Sequence, residues 1–450
     1  MIAPPSAAPG PEATSLSPDD QPASPGAGRA LSLLLLINLF NYIDRYVLAV
    51  VVPDVQRELL PANDPNADFK MGLLSTAFLV VYMLGSPVFG LLGDRTSRWR
   101  LIAIGVTLWS LASGASGLAT GFAMMLITRC FVGVGEAAYG PVAPTVISDL
   151  YPVARRGQVL AWFYMAIPVG SALGYALGGQ VAAMVNWRWA FYLVVAPGLL
   201  LGLWAILMSD PPRGGADTPD APQRRARAQD YLILLHTPSY VLNTLGMTAM
   251  TFAIGAISWW MPKYLEDQHV APVGGLVPSV FLGLLTVVAG LVATLSGGLV
   301  GDWLRPRIPS SYFLVSGVGL LLTVPWIVAF LLVPFPLAWV FIFLAEFCLF
   351  FNTGPTNTIL ANVTHPSIRA TAFAVNILVI HLLGDAISPP IVGAISDFAK
   401  RAFDAQNSLA YGFVVVSALL VVGGILWLWG TRFLQRDTEA APHRLERAGC

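Results

Sequence analysis

Gly90-Leu91-Leu92-Gly93-Asp94 closes one apolar run of this 450-residue chain, and Gly298-Leu299-Val300-Gly301-Asp302, 208 residues further on, closes another. The duplication continues at an offset of 214: Gly140-Pro141 matches Gly354-Pro355, Pro152 matches Pro366, Arg155 matches Arg369, Gly170 matches Gly384 and Gly179 matches Gly393. A second half that repeats the first predicts two like units meeting at a shared interface, the architecture of transporters that rock about a midplane site. A receptor or a structural membrane protein has no need of such a duplication.

Composition says what the units are made of. Hydrophobic residues make up 56% of the chain and charged residues only 11%, with a mean hydropathy of +0.69, against about 25% charged in a soluble domain. Crossing the hydrocarbon layer takes about 20 apolar residues per helix. Pro, Gly and charge clusters divide the chain into twelve such runs, 31–53, 69–93, 99–119, 122–148, 157–184, 188–208, 235–262, 277–301, 311–333, 336–361, 370–396 and 408–433. These predict an all-α integral membrane protein of twelve transmembrane helices in two pseudo-symmetric six-helix bundles. The expected division is a disordered cytoplasmic tail 1–28, an N-terminal bundle 29–208, a cytoplasmic linker 209–234, a C-terminal bundle 235–433 and a cytoplasmic tail 434–450. Residues 1–28 lack the basic start and short apolar core of a signal peptide.

Lys and Arg placement predicts the orientation. With the N-terminus cytoplasmic, 17 cations fall on inside segments and 6 on outside loops, leaving Arg45 and Arg129 within the membrane. Both termini are therefore expected on the cytoplasmic side of the cell membrane. Trp187, Trp189, Trp259 and Trp260 fall at outer helix ends and are expected to form an aromatic belt there.

The balance of 25 cations and 25 anions suggests neither nucleic acid nor another polyanion as partner. Cys130, Cys348 and Cys450 give no disulfide framework and no metal spacing. No Gly-x-x-x-x-Gly-Lys-[Ser/Thr] loop points to ATP, and no His/Cys cluster points to a metal. The expectation is a monomer in membrane lipid with no cofactor and no catalytic constellation.

The candidate site lies where ionisable groups enter apolar runs, because such groups mark a transport or proton path. In Thr128-Arg129-Cys130-Phe131-Val132-Gly133-Val134-Gly135-Glu136-Ala137-Ala138-Tyr139-Gly140, Arg129 and Glu136 are seven residues apart. They share one face of helix 4 about 10 Å apart along its axis. One reading pairs them as a structural ion pair; the other makes Glu136 or Asp44 a proton acceptor and Arg129 a fork-shaped donor to an anionic headgroup. On helix 1, Asn38, Asn41 and Arg45 form a polar stripe with Asp44 beside it, and Asp44 is expected to face the cavity. Helix 5 carries Ala166, Gly170, Gly174 and Gly178 at four-residue spacing, a close-packing stripe. On helix 11, His381 and Asp385 share a face as a pH-responsive pair or an ordinary hydrogen bond; Glu346 on helix 10 is a further secondary candidate. The second half is otherwise aromatic, with Phe252, Trp259, Trp260, Phe347, Phe350, Phe351 and Phe373. Walls charged on one side and greasy on the other suit an amphipathic ligand.

Gly90-Leu91-Leu92-Gly93-Asp94-Arg95-Thr96-Ser97-Arg98-Trp99-Arg100 resembles the loop 2–3 signature of the major facilitator superfamily, with Ser97 where glycine is usual. Three further segments resemble the Spinster family: Asn38-Leu39-Phe40-Asn41-Tyr42-Ile43-Asp44-Arg45-Tyr46, Gly133-Val134-Gly135-Glu136-Ala137-Ala138-Tyr139, and His381-Leu382-Leu383-Gly384-Asp385-Ala386-Ile387-Ser388-Pro389. Organic-anion symporters carry strings similar to the first two, and the third favours Spinster. The resemblance implies alternating access by a secondary-active transporter, lysophospholipids or sphingosine-phosphate-like lipids as substrates, and proton coupling. It also implies that Asp94, with Arg95 and Arg98, is a conformational latch, and that Asp302 is its weaker counterpart because Trp303-Leu304-Arg305 departs from the pattern. Asp44 and Glu136 are then the proton sites, and Arg129, Asn38, Asn41, Arg45 and Tyr139 the substrate contacts. The alternative is a proton-coupled symporter of small organic anions, which needs a second basic residue facing Arg129 from the other half.

Overall fold

The computed structural model describes residues 25–151, 159–160, 162–212, 233–364 and 368–441, apart from the side chains of Asp94, Arg369, Ala370 and Thr371. Among these residues the chain is helical nearly throughout, and its one β-pairing is an isolated bridge between Val273 and Leu276. Ten helices are long and apolar enough to cross a membrane: α1 (Ala27–Leu59), α2 (Ala67–Gly93), α4 (Phe122–Leu150), α6 (Trp187–Ile206), α7 (Pro238–Asp267), α8 (Pro278–Leu304), α9 (Ser311–Leu332), α10 (Ala338–Val363), α11 (Ala372–Phe403) and α12 (Ser408–Gly430). Two more, α3 (Arg98–Gly117) and α5 (Ala166–Met184), have 20 and 19 residues. They are less apolar because α3 opens on Arg98 and Arg100 and α5 is rich in Gly and Ala. With them the twelve-helix, two-bundle architecture is complete.

The sequence duplication is matched pair by pair in the packing. The contacts α1–α5, α2–α4, α3–α4 and α3–α6 of the first half recur as α7–α11, α8–α10, α9–α10 and α9–α12 in the second. The halves meet through α2–α11, α5–α8 and α1–α7.

Glycine sets how closely these helices approach, since lipid supplies no hydrophobic drive between them and backbone proximity carries the dispersion attraction. A Cβ added at Gly170 would lie 2.5 Å from the Tyr42 Cβ of α1, and one at Gly174 would lie 2.7 Å from the Ile43 carbonyl. The small-residue stripe on α5 is therefore the surface that receives α1. On α4, Gly133 abuts the Phe78 carbonyl of α2 and Gly135 abuts the Gly105 carbonyl of α3, at 2.5 and 2.7 Å from an added Cβ.

Gly72 and Gly90 are about five turns apart on α2 and so share a face. A Cβ at Gly72 would sit 2.5 Å from the Pro390 nitrogen of α11, whereas one at Gly90 would meet nothing within 4 Å among the described residues. The halves touch at the end carrying the α1–α2 loop.

Three expectations need amendment. Of the tryptophans assigned to an aromatic belt, only Trp189 is exposed; Trp187, Trp259 and Trp260 are buried. Trp187 donates its indole N–H to the exposed Glu58 at 2.6 Å and Trp260 donates to the buried Pro389 carbonyl at 2.9 Å, so these rings bond protein acceptors instead. Helix 11 is not regular through its candidate pair: His381–Asp385 forms a π-helical turn in which Gly384 has φ −106° and ψ −105°. The stretch after 433 begins with a short helix, α13 (Leu434–Ala440), whose Asp437 accepts the Ser239 backbone N–H at the start of α7 at 2.9 Å. The tail 1–24, the linker 213–232, the terminus 442–450 and the pair Arg155–Arg156 lie outside the described residues.

Gly135→Val should force α3 and α4 apart at a cost of about 1–3 kcal/mol or more from overpacking. Thermal unfolding in detergent should show a fall of several degrees for Gly135→Val and none for Gly90→Ala.

Candidate functional site

Because Gly133 and Gly135 wedge α4 between α2 and α3, its two charged residues point into the N-terminal half rather than at lipid. Arg129 and Glu136 are both buried there, and so is Asp44 of α1. Each side chain must find a partner or leave a charge stranded in a medium that cannot solvate it.

The partners differ from the simplest expectation. Glu136 is paired with Arg45, not with Arg129: its Oε2 accepts from Arg45 Nε at 2.8 Å and from Nη2 at 2.5 Å. Arg129 donates from Nη2 to Ser116 Oγ at 2.9 Å and lies 5.5 Å from the centre of the Phe191 ring. Asp44 accepts a hydrogen bond from Ser113 Oγ and interacts electrostatically with Arg129. The reason is geometric. Two turns of helix hold Arg129 and Glu136 too far apart for a direct bond, whereas consecutive residues on α1 diverge by about 100°. Arg45 thus turns toward Glu136 and Asp44 toward α3 and Arg129, making two crossed pairs from two helices.

Exposure divides the pairs. Asp44 is 1% exposed, so it does not face the space between the halves as expected. Arg45 is 22% exposed in its side chain and is the accessible cation of the four. Its guanidinium is boxed by Tyr42, Phe78 and Tyr82, with ring centres at 5.0, 4.9 and 5.2 Å, a cation–π cradle that holds the charge while leaving an edge open. Asp44 Oδ2 and Arg129 Nε are buried with no hydrogen-bond partner among the described residues, and Asn41 lies beside Glu136 without a well-formed bond to its Oε1.

Two other proposed ligand contacts are occupied by the backbone. Asn38 Nδ2 donates to the Phe163 carbonyl at 2.8 Å and the Tyr139 hydroxyl donates to the Leu34 carbonyl at 2.9 Å. Both join α1 to its neighbours in this conformation.

The second half contributes groups of the opposite kind. His381 Nδ1 lies 3.0 Å from both Asp385 carboxylate oxygens. Glu346 is buried, accepts from Thr286 Oγ1 at 3.1 Å and has its other oxygen unpaired among the described residues. Tyr46, edge-on to Tyr175 at 5.0 Å, interacts electrostatically with both Arg45 of its own half and Asp385 of the other.

The residues implied as a latch separate. The Asp94 side chain lies outside the described residues, and Arg95 is exposed. Arg98 is buried and donates from its backbone N–H and Nε to Asp210 at 2.9 Å each, from Nη2 to the Pro211 carbonyl at 2.7 Å, and from Nη1 to Asp149. It therefore ties the start of α3 to the ends of α4 and α6. Asp302 accepts from the Tyr312 hydroxyl at 2.6 Å, inside its own half.

Sequence reasoning missed the partners. Ser113 and Ser116 sit with Ser110 at three-residue spacing on an apolar helix, a polar stripe that could have drawn notice. Nothing in the sequence marks Tyr42, Phe78 and Tyr82 as one cradle.

Comparison with known proteins decides the family. The sequence profile of the Major Facilitator Superfamily matches residues 34–389. The chain is 36% identical to Protein spinster homolog 3 of Danio rerio over 458 aligned positions, covering 94% of this chain and 90% of that protein. This chain belongs to the Spinster family of the major facilitator superfamily. It is also 35% identical to human Protein spinster homolog 1, covering 93% of this chain and 83% of that protein, and 33% identical to the sphingosine-1-phosphate transporter SPNS2 of Danio rerio, covering 93% and 86%. Among solved structures, a bacterial homolog of the human lysosomal transporter Spinster superposes with a TM-score of 0.78 at 23% identity, covering 92% of this chain and 99% of that one. The Spinster chain described here is thus a multi-pass membrane transporter, not an enzyme.

Arg45→Ala should strand Glu136 as a buried, uncompensated charge and cost about 3–5 kcal/mol. Adding Glu136→Gln should recover at least half of that loss. Thermal unfolding of the double-mutant cycle checks it, and additive losses would refute the pairing.

Proposed function

We propose that this Spinster-family transporter moves an amphipathic lipid, a lysophospholipid or a sphingosine-phosphate-like molecule, by alternating access between its two six-helix bundles, and that protons drive it. The observation that carries this reading is Arg45, an accessible cation in an aromatic cradle, with Tyr46 in electrostatic reach of both it and Asp385. A head bearing a phosphate and an ammonium would place the anion at Arg45 and the cation toward Asp385 and Glu346, while Phe347, Phe351 and their neighbours accept the chain. The name of the SPNS2 relative, a sphingosine-1-phosphate transporter, supports the same class. A small dianion would need a second permanent cation opposite Arg45. The candidates that α10 and α11 offer, Glu346 and the His381–Asp385 pair, favour the lipid.

Asp44 and Glu136 are the candidate proton carriers. Each has one carboxylate oxygen firmly bonded and the other buried without a well-formed hydrogen bond among the described residues, so a proton on the second oxygen would neutralise a charge that the protein interior solvates poorly. Protonating Glu136 would release Arg45 toward an anionic headgroup, and an incoming phosphate would in turn release Glu136. Binding and protonation are then reciprocal. Arg129, closed behind Ser116, acts on Asp44 and becomes a second headgroup donor only if that packing opens. The membrane is the cell membrane with both termini cytoplasmic, as the charge asymmetry of the loops supports.

In proteoliposomes, uptake should favour lysophospholipid and sphingosine phosphate over small organic anions by at least about tenfold, a difference of roughly 1.4 kcal/mol; the reverse preference would overturn the lipid assignment. Asp44→Asn and Glu136→Gln should each remove the dependence of uptake on a proton gradient, and gradient-driven uptake undiminished in both would sink the coupling. Arg45→Ala and Arg129→Ala should both weaken lipid binding, with Arg45→Ala the more damaging.

A further inference from the structure

A second charged cluster, remote from the site, joins the two halves at the α1–α2 loop end. Asp68, in the first turn of α2, is fully buried. Its carboxylate accepts from Lys400 Nζ at 2.6 Å and Ser396 Oγ at 2.7 Å, both on α11, and from Gln56 Nε2 of α1 at 3.0 Å. The exchange is mutual. Asp397 of α11 accepts the backbone N–H groups of Asp68 at 3.2 Å and Phe69 at 2.9 Å, donors that the first turn of a helix cannot satisfy internally. Lys263 of α7, bonded to Asp267 at 3.1 Å, adds a nearby positive charge. Apart from Gln56, each hydrogen bond to these two carboxylates crosses from one half to the other.

The duplicated architecture provides an internal control. The pseudo-symmetric equivalent of α2–α11 is α8–α5, where Gly179 meets Ser279 and Gly283 meets Ala172. Small uncharged surfaces close that side at the same end. The α2–α11 side has this packing too, with Gly72 against Pro389 and Pro390 and Gly393 against the Asp68 backbone, and carries the charges in addition. Packing alone therefore explains closure, and the ionic cluster needs a separate reason. A buried pair is favourable only with its full set of partners and is strongly destabilised by losing one. At a helix end beside water, separation of the halves rehydrates both charges at once, so this cluster has two settings, made and broken. The exposed Arg57–Glu266 pair, at 3.1 Å, is screened and adds little.

We propose that Asp68, Ser396, Asp397 and Lys400 form a reciprocal latch that sets the closed state at the α1–α2 loop end and must break before the halves part there. The inference rests on the alternating-access reading but requires no assumption about the substrate.

The test uses the full chain in nanodiscs, with spin labels at the exposed positions Asn63 and Ala402 after replacement of the native cysteines. Distance measurements should give one short population for the parent. Asp68→Asn and Lys400→Met should each raise the ratio of long to short distances about tenfold or more, Lys400→Arg should restore the short population, and Arg401→Ala should leave it unchanged. Unaltered distances in folded Asp68→Asn and Lys400→Met would overturn the latch, and would do so whichever substrate is carried. If those variants do not fold, a crosslink decides. Asn66→Cys/Arg401→Cys places thiols at positions whose native side chains meet across the same seam, where a reducible bifunctional thiol reagent can span them. Reversible loss of lysophospholipid uptake on crosslinking supports the latch, and continued uptake by the crosslinked protein overturns it. Absent uptake before crosslinking, together with the expected distance shifts, would count against the lipid reading while supporting the latch.

Discussion

Four ionisable side chains inside one six-helix half must cancel one another, and the rest of the site is arranged around that requirement. Asp44, Arg45, Arg129 and Glu136 sum to zero, and a bilayer interior offers no water to any of them. The crossed pairing, Arg45 with Glu136 and Asp44 facing Arg129, is possible only because α1, α3 and α4 lie close together. The glycines make that approach available: Gly170 and Gly174 admit α1 against α5, and Gly105 and Gly135 admit α3 against α4. Packing and electrostatics are thus one constraint here.

The two halves share a helix-packing scheme but not a chemistry. The first holds the paired charges; the second contributes aromatic rings, Glu346, and a His381–Asp385 pair on a helix broken at Gly384. Such a break removes regular backbone hydrogen bonding at mid-depth and is tolerated in a membrane where the backbone faces protein or a polar space. The asymmetry extends to the interface between the halves, where α2–α11 is ionic and α5–α8 is not. A duplicated scaffold has therefore been specialised twice, once at the site and once at the seam.

Much of the fold was legible in the sequence. The run lengths, the repeat offsets of 208 and 214 and the six-plus-six division anticipate the packing, in which every first-half helix pair named above recurs in the second half. The glycine stripe on helix 5 announced its contact, because small residues at four-residue spacing have little other use in a membrane helix. The tryptophans misled, since an indole at a predicted helix end can face the headgroups or turn inward and bond an acceptor on a neighbouring helix, and the local sequence is the same in both cases. At the site, the charged residues themselves stood out against an apolar background, whereas their serine and aromatic partners did not. Asp68, Asp397 and Lys400 stand near helix ends, where charges are ordinary.

The sequence by itself determined the membrane-spanning helices, their duplication and the identity of the intramembrane charges, because those follow from hydropathy and spacing along one chain. Tertiary structure alone decided that Glu136 belongs to Arg45, that Asp44 is sealed off while Arg45 is accessible, and that Asp68 reaches Lys400 across the seam. Each of these joins residues on different helices, 91 positions apart in the first pair and 332 in the last. Helical periodicity says which way a side chain points from its own axis; it carries no information about which neighbour stands there, or at what rotation, until the helices have packed.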